Sequence, residues 1–275
     1  NSKFISNGNG CFAAAPFQRL LQPQLQTRIG IQGKEPLFIL LFILLNGSGV
    51  AQKKNEQFQL HIREATSPII IDGIMDEPAW EAAEVATDFY MMLPMDTSKA
   101  NVRTDVRMAY DKDNLYLIAI NYHAVPGPYM VESLRRDFAF GKNDNFLLFM
   151  DPFNDLTNGF SFGANAAGAQ WDGIMYEGGK VDLSWDNKWR SEVKNYDDKW
   201  VFEMAVPFKS IRYKKGITKW GINFSRLDLK TTEKSSWTPV PRQFPSAALA
   251  YTGNLMWDQP PPSPGPNISI IPYAL

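Results

Sequence analysis

The chain has 275 residues, a net charge of −1 and a hydrophobic fraction of 44%, which is enough to bury one large core or two small ones. No long basic run is present, so the sequence lacks the positive footprint on which nucleic-acid binding depends. The one cysteine, Cys11, excludes an internal disulfide and a cysteine-rich zinc site. Only His61 and His123 are available to a histidine-based metal site or a Ser-His-Asp triad, and their apolar or strand-like neighbours predict structural roles.

A short apolar run at residues 36–45 predicts an export signal. The run is too short to span a bilayer, which takes about 20 residues. A lysine precedes it and the small residues Gly49 and Ala51 follow, so we predict a secretory signal peptide over 34–51, cut after Ala51. A buried strand or helix is the alternative interpretation. Residues 1–33, rich in Gln, Asn and Gly, are expected to be a disordered leader or a mis-called start.

Strand patterns fill the chain from residue 56 onward. Apolar and polar residues alternate over 102–110, a turn sequence follows at 111–114, and an apolar segment runs back over 115–122. This pattern predicts a hairpin with one outer and one inner strand. Further strands are predicted at 145–150, 160–165, 189–196, 200–206 and 220–224. Those at 189–196 and 200–206, joined by the turn Asp197-Asp198, are predicted to form a second hairpin.

Helical signals are few. A short helix is expected near 77–83, with Asp76 as its cap and Pro78 in the first turn, and a second short turn is expected at 208–211. Many short strands separated by turn sequences indicate an all-β fold. We therefore predict one antiparallel β-sandwich of the jelly-roll type over 56–258.

The segment after this sandwich is rich in proline. Residues 259–266 read as an extended linker, because proline cannot donate to a strand ladder. Residues 267–275 have the pattern of a single strand, and a lone strand is not stable. We expect them to begin a further domain.

Several motifs of this sequence resemble family 9 carbohydrate-binding modules. Ile71-Asp72-Gly73 followed by Trp80 is similar to the family's opening, and Trp200-x-x-Glu203-x-x-x-Pro207 is similar to its closing pattern. Between them lie further matches at Tyr110-Asp111, Asn114-Leu115-Tyr116, Asn143-Asp144 and Phe149-Met150-Asp151-Pro152. The resemblance covers roughly residues 58–275 and implies a sandwich that binds a polysaccharide or oligosaccharide without catalytic residues.

A second set of motifs resembles one subgroup of that family, in which the module precedes an outer-membrane-type β-barrel domain of unknown function. The set consists of Arg136-Asp137, Asn165-Ala166-Ala167-Gly168, Trp185-Asp186 with Trp189, and Trp220-Gly221-Ile222-Asn223-Phe224 with Arg226. Ile270-Ile271-Pro272-Tyr273 resembles the first strand of the barrel. The resemblance implies a location at the cell envelope of a Gram-negative-type bacterium, with the membrane reached only through the barrel.

Sugar sites commonly pair an aromatic platform with Asp, Asn, Arg or Gln side chains, and the densest such cluster lies between residues 165 and 190. The predicted sugar-binding residues are Asn165, Trp171, Asp172, Tyr176, Trp185, Asp186, Trp189 and Arg190. Trp171 and Trp185 stand beside polar loop residues and are the predicted stacking platforms. Trp189, Trp200 and Trp220 head alternating strands, which favours core anchoring for all three, with sugar binding kept open for Trp189. The two tryptophans between which the family's sugar binders hold a ligand end have no residue-by-residue match here.

Acidic residues supply a candidate metal site. Asp144, Asp151 and Asp155 are candidate calcium ligands, because calcium prefers six to eight oxygens and resembling modules bind it. A turn over 151–155 with Asx caps is the alternative interpretation. No other cofactor is expected.

Three other functions fit parts of the sequence. A carboxylate pair suits glycoside hydrolysis, although a hydrolase label would follow from the presence of these modules in xylan-degrading enzymes rather than from these residues. The cluster Met91, Met92 and Met95 suits a b-type haem held by Met with His or Lys, or simply a core filler. The sandwich would otherwise serve as a structural plug that caps or gates the barrel.

Overall fold

A computed structural model describes residues 53–263. The predicted leader, signal peptide and barrel strand (1–33, 34–51 and 267–275) lie outside the described residues, as does the end of the predicted linker. The described strands are β1 (Gln59–Ile62), β2 (Val85–Ala86), β3 (Tyr90–Leu93), β4 (Thr104–Tyr110), β5 (Asn114–Tyr122), β6 (Asn145–Asp151), β7 (Gly159–Asn165), β8 (Gln170–Tyr176), β9 (Lys180–Asp182), β10 (Arg190–Asn195), β11 (Lys199–Pro207), β12 (Lys219–Asp228), β13 (Glu233–Ser236) and β14 (Gly253–Trp257). The helical segments are the α-helix α1 (Pro78–Ala82) and 3-10 turns at Phe140–Lys142, Phe208–Ser210 and Leu249–Tyr251.

The strands form two sheets that face each other. The large sheet has the order β1-β14-β12-β6-β7-β8-β9, with β13 paired to β12 and β3 paired to β13. The small sheet has the order β10-β11-β5-β4-β2. Pairing within the described sheets is antiparallel except between β1 and β14, which run parallel. The predicted all-β class and the sandwich are confirmed.

Both predicted hairpins are present in the small sheet. β4 pairs with β5 from Thr104↔Asn121 to Tyr110↔Leu115, and β10 pairs with β11 up to Asn195↔Trp200. In the first turn, the Asp111 carboxylate accepts backbone N–H bonds from residues 113 and 114, each at 2.7 Å. The period-two pattern of these strands decides which face packs inward.

Aromatic side chains fill the space between the sheets. The Phe146 ring lies 6.0 Å from that of Phe224 and 5.9 Å from that of Phe202, which joins the two sheets at the centre. Trp200 and Trp220 are fully buried, so their interpretation as core anchors is confirmed. Burial of each such side chain stabilises the fold by about 1.5–3 kcal/mol.

The two motifs that open and close the family resemblance meet on the outer face of the small sheet. The buried Glu203 carboxylate, on β11, accepts hydrogen bonds from the backbone N–H groups of Asp72 (3.0 Å) and Gly73 (2.9 Å). It also accepts one from the Trp80 indole Nε1 at 3.1 Å. Gly73 has a φ of 75°, and a Cβ there would lie 2.9 Å from the Lys194 Cβ. These motifs therefore hold the fold together.

The short helix α1 differs from its prediction at the start. It begins at Pro78 with Glu77, not Asp76, as the N-cap residue, and no described side chain caps it. The Glu77 carboxylate instead accepts the backbone N–H of Ile70 at 2.9 Å, so it braces the incoming segment. The predicted turn at 208–211 is the 3-10 helix Phe208–Ser210. Within residues 53–263, no helix is long and apolar enough to cross a membrane.

Candidate functional site

The polar part of the candidate site is centred on Arg136, in the loop before β6. Its Nη1 donates to Gln170 Oε1 at 2.8 Å, and its Nη2 contacts the Asp172 carboxylate and donates to the Asn187 carbonyl at 3.1 Å. Its Nε lies 2.9 Å from Asp186 Oδ1. We call these five residues the Arg136 node. They join the loop before β6, strand β8 and the loop before β10.

Strand alternation decides which β8 side chains reach this node. Gln170 and Asp172 point to the face that Phe162 occupies on β7, since Asp172 stands opposite Phe162 in the ladder. Further along the same face lie Ile174 and Tyr176, which are 36% and 39% exposed. The small sheet does not cover this end of the large sheet, so the face is open to solvent there.

A buried carboxylate anchors the node. The Asp172 side chain is fully buried, which raises its pKa, while the Arg136 guanidinium and the Asn187 N–H at 3.0 Å favour its charged form. The Arg136 side chain is 32% exposed and the Asp186 side chain 74% exposed. The node is therefore held by hydrogen bonds on its inner side, and its solvent-exposed part consists of the Asp186 carboxylate and part of the Arg136 side chain.

An aromatic platform stands next to the node. Trp185 is half-buried and packs on Phe160, with ring centroids 5.2 Å apart, and on Phe162 at 6.2 Å. Phe160 stands opposite Ile174 in the β7–β8 ladder, so Trp185 and the exposed Ile174 and Tyr176 share one face. We call these three residues the Trp185 platform. Packing on two phenylalanines fixes the tilt of the indole before any ligand arrives.

A groove adjoins the Arg136 node on its other side, along the free edge of β10. It has a volume of about 520 Å³. It is lined by Ile69, Ile70, Ile71, Gln170, Arg190, Ser191 and Glu192. Since Gln170 belongs to both, the groove and the node form one continuous surface.

The structure brings together five of the eight predicted sugar-binding residues. Asp172 and Asp186 belong to the Arg136 node, Trp185 and Tyr176 to the Trp185 platform, and Arg190 to the groove. Their side chains lie on one connected surface, although Asp172 is buried beneath it. The predicted site is thus reorganised around an arginine rather than around two tryptophans.

The other three predicted residues lie elsewhere. Trp171 is only 6% exposed and faces away from Asp172 into a cluster with Met175 and Leu249, because neighbours on a strand point to opposite faces. The polar residues beside it belong to strand β8 and not to a loop. Trp189 is buried in the core between the sheets, as its place at the head of an alternating strand favoured. The stacking role predicted for Trp171 therefore has no support from the structure.

Asn165 has a structural role at the end of β7. Its Oδ1 accepts the backbone N–H groups of Ala167 (3.1 Å) and Ala169 (3.0 Å), and its Nδ2 donates to the Ser133 carbonyl at 2.7 Å. Its oxygen thus has partners in the turn between β7 and β8, and its nitrogen has one in the loop before β6. A ligand would find no free group on this fully buried side chain.

Sequence reasoning missed three members of the node. Arg136 is a motif residue that was not assigned to the site, Gln170 was left out of the predicted binding set, and Asn187 was not singled out. The Arg136–Asp172 contact spans 36 positions, so no local pattern announces it. The sequence signal that could have indicated Arg136 is its position in a segment with neither strand nor helix periodicity.

The three candidate calcium ligands do not meet. Asp144 and Asp151 stand at opposite ends of β6, roughly 20 Å apart at the usual rise of a strand. Asp144 accepts backbone N–H bonds from residues 130 and 229, each at 2.6 Å. Asp151 accepts three such bonds, from Phe153, Asp155 and residue 156, as an Asx-capped turn does. Within residues 53–263, no group of three or more His, Cys, Asp or Glu side chains is placed to hold a metal ion.

The residues that suggested a haem are engaged elsewhere. Met91 and Met92 are buried on β3 and Met95 is exposed. His61 pairs with a glutamate through Nδ1 at 2.8 Å, and His123 contacts Tyr129 and a lysine. The methionine cluster lends no support to a haem site.

The two-sheet sandwich presents a tilted aromatic ring beside guanidinium, carboxylate and amide groups, an arrangement that suits the carbohydrate-binding class of module. Residues 71–240 match the family model described as carbohydrate family 9 binding domain-like, which covers more than half of the chain. The chain belongs to this family. No curated protein sequence matches it significantly.

Solved structures of similar fold agree. A carbohydrate binding module family 9 from Caldicellulosiruptor kristjanssonii in complex with cellotriose has a TM-score of 0.53 at 12% identity, over 79% of this chain and 100% of that one. The glucose complex has a TM-score of 0.52 at 13% identity, over 74% and 96%. A candidate carbohydrate-binding protein from Bacteroides uniformis has a TM-score of 0.55 at 15% identity, over 73% and 98%. At these identities the likeness extends to the fold alone.

Proposed function

We propose that the protein binds an oligosaccharide or polysaccharide, without catalysis, on the surface formed by the Trp185 platform and the Arg136 node. One observation carries the proposal. The Trp185 ring is held in place by Phe160 and Phe162, and the exposed carboxylate of Asp186 follows it directly beside Arg136. A sugar ring presents an apolar face to such an indole and hydroxyl groups to the charged atoms at its rim.

The Trp185 platform and the Arg136 node supply different interactions to one bound sugar. The Trp185 ring keeps part of its surface open, so a sugar that covers it removes apolar area from water. Asp186 accepts hydrogen bonds and Arg136 donates them, and bonds to charged groups are worth about 1.5–3 kcal/mol each. Because the node is already fixed, little side-chain entropy is lost on binding. The cellotriose and the glucose bound in the two Caldicellulosiruptor complexes support this ligand class.

Hydrolysis has less support than binding. A glycosidase needs one protonated and one charged carboxyl group facing the same bond. In the node, the fully buried Asp172 carboxylate is taken up by Arg136 and the Asn187 N–H, so it faces no substrate. The Asp186 carboxylate contacts the same guanidinium, at 2.9 Å from its Nε. Neither group is placed as a general acid.

Calorimetric titration of the protein with a panel of plant and algal oligosaccharides tests the proposal. We expect saturable binding of at least one neutral oligosaccharide, weakened about tenfold or more by Trp185→Ala, as for a central aromatic contact. Trp185→Phe should keep much of the affinity. Phe244→Ala is the matched control, since this exposed ring packs on Tyr251 outside the site.

Two results would refute the proposal. One is a folded protein that binds nothing across the panel, which would favour the structural plug. The other is a folded Trp185→Ala variant with unchanged affinity, which would move the sugar to another surface. Circular dichroism of each variant establishes that it is folded.

We further propose that the module works at the bacterial cell envelope, attached to an outer-membrane barrel. The apolar run at 36–45 with its small-residue flank supports export, and the likeness of Ile270-Ile271-Pro272-Tyr273 to a barrel strand supports the attachment. Fractionation of the source cells, followed by detection with an antibody to the sandwich, tests this. The protein should sediment with outer membranes, and recovery from the cytoplasm would contradict the proposal.

A further inference from the structure

The groove along β10 takes no part in the sugar contact proposed above, which uses the Trp185 platform and the Arg136 node. Its wall includes Ile70, which is 66% exposed, and its rim carries the exposed side chains of Arg190 and Glu192. Among residues 53–263, neither rim side chain has a salt-bridge partner. The groove therefore offers an apolar wall with one free donor and one free acceptor.

A chain of hydrogen bonds ties the groove to the Arg136 node. Gln170 Nε2 donates to Ser191 Oγ at 2.9 Å, while Gln170 Oε1 accepts from Arg136 at 2.8 Å. Arg136 in turn contacts Asp186, next to Trp185. The Trp185 platform and the groove thus flank one node: Gln170 bonds Ser191 on the inner side of β10, and Arg190 and Glu192 project from the outer side of the same edge strand.

The separation of the two parts limits the ligand. Strand β8 carries Gln170 at the groove and Ile174 and Tyr176 at the platform, four and six positions further on. At about 3.3 Å per residue the parts lie roughly 13–20 Å apart. This distance exceeds the reach of one sugar ring, so only a chain of several rings contacts both.

The charges of the groove indicate which chain fits. Arg190 and Glu192 are its ionisable lining residues and their charges cancel. A site for an anionic polymer requires a net positive lining, as the attraction between unlike charges dictates. Donor and acceptor groups beside an apolar wall instead match the hydroxyl groups and ring faces of a neutral sugar.

We infer that the β10 groove and the Trp185 platform are two subsites for one neutral glycan chain. The module then recognises a chain of several sugar units rather than a single sugar or a disaccharide. This inference rests on the proposed function, since it extends the same surface. When one ligand spans two weak contacts, the second contact forms at a high effective concentration, so the combined affinity exceeds that of either contact alone.

The test is a length series of cello-, xylo- and manno-oligosaccharides, from monosaccharide to hexasaccharide, titrated into the protein. For the series that binds, we expect the affinity to rise about tenfold or more between disaccharide and hexasaccharide. The double variant Arg190→Ala/Glu192→Ala, which leaves net charge unchanged, should lose this gain and keep its affinity for the short chain. Arg212→Ala/Glu81→Ala is the matched control, because both residues are exposed and lie outside the groove.

The possible failures are distinguishable. If short and long chains bind equally well, the two-subsite inference is wrong while the proposed sugar contact stands. The inference is equally wrong if the groove variant keeps the full gain with length. If no chain of any length binds to the folded protein, the proposed function fails and the inference fails with it.

Discussion

Replacing Glu203 should destabilise the protein more than replacing any other single acid on the small sheet. Its buried carboxylate is the acceptor for three N–H groups, on Asp72, Gly73 and Trp80. Glu203→Ala leaves these donors without an acceptor, and each buried unsatisfied group costs about 1–3 kcal/mol. We therefore expect a loss of at least about 3 kcal/mol in the free energy of unfolding, a large part of the roughly 5–15 kcal/mol typical of a domain.

The same residue predicts how stability depends on pH. Burial raises the pKa of Glu203 to about 7, above its usual 4.5, because the charged form loses its hydration. An acid whose pKa is raised on folding stabilises the folded state fully below the unfolded pKa. That contribution, about 3 kcal/mol, is lost as the pH rises from about 4.5 through about 7. Glu203→Gln removes this pH dependence and keeps one acceptor oxygen, so at pH 7 it should lie between wild type and Glu203→Ala.

Urea unfolding of each variant between pH 4.5 and 8 measures both effects. Glu192→Ala is the matched control, since Glu192 stands opposite Glu203 on β10 with an exposed side chain. A loss below about 1 kcal/mol for Glu203→Ala would refute the argument from unsatisfied donors. Equal pH slopes for the wild-type and Glu203→Gln proteins would refute the assignment of the titrating group.

Three further outcomes follow from the structure. Arg136→Ala should cost about 3–5 kcal/mol, because it leaves the buried Asp172 carboxylate without its partner, and a loss under about 1 kcal/mol in urea unfolding would contradict this. Gly73→Ala should cost about 1–2 kcal/mol, because residue 73 has a positive φ and its new Cβ meets Lys194, and an unchanged Tm would be inconsistent with that strain. Calcium should leave Tm unchanged, because the Asp144 and Asp151 oxygens are occupied by backbone N–H groups, whereas a rise in Tm that saturates with calcium would reveal a site.

Local periodicity made much of the sandwich predictable. Strand β4 alternates between core and outer residues, and the polar turn after it contains the aspartate that closes the hairpin. Trp200 and Trp220 likewise begin alternating strands and lie in the core. Such patterns depend on residues within one or two strands, and the sequence displays them directly.

Contacts between distant segments were beyond sequence reasoning. β1 pairs in parallel with β14, whose partner residues follow almost 200 positions later, for example Gln59↔Asn254. Strand β8 was interpreted as polar loop, because Gln170 and Asp172 stand where an inner-facing strand normally carries apolar residues. Arg136 satisfies both of them, and it comes from a loop 36 positions before Asp172. Unless the contact with Arg136 is known, the polar residues Gln170 and Asp172 give no indication that this segment is a strand.

The most direct test of the central claim is a crystal structure of the protein with the oligosaccharide that it binds most tightly. The account predicts a sugar ring stacked on Trp185, with hydroxyl groups hydrogen-bonded to Asp186 and Arg136. A longer chain should continue past the node towards Arg190. A sugar bound on the opposite face of the large sheet, beside Trp171 and Met175, would contradict the account. Both side chains are buried there in this structure.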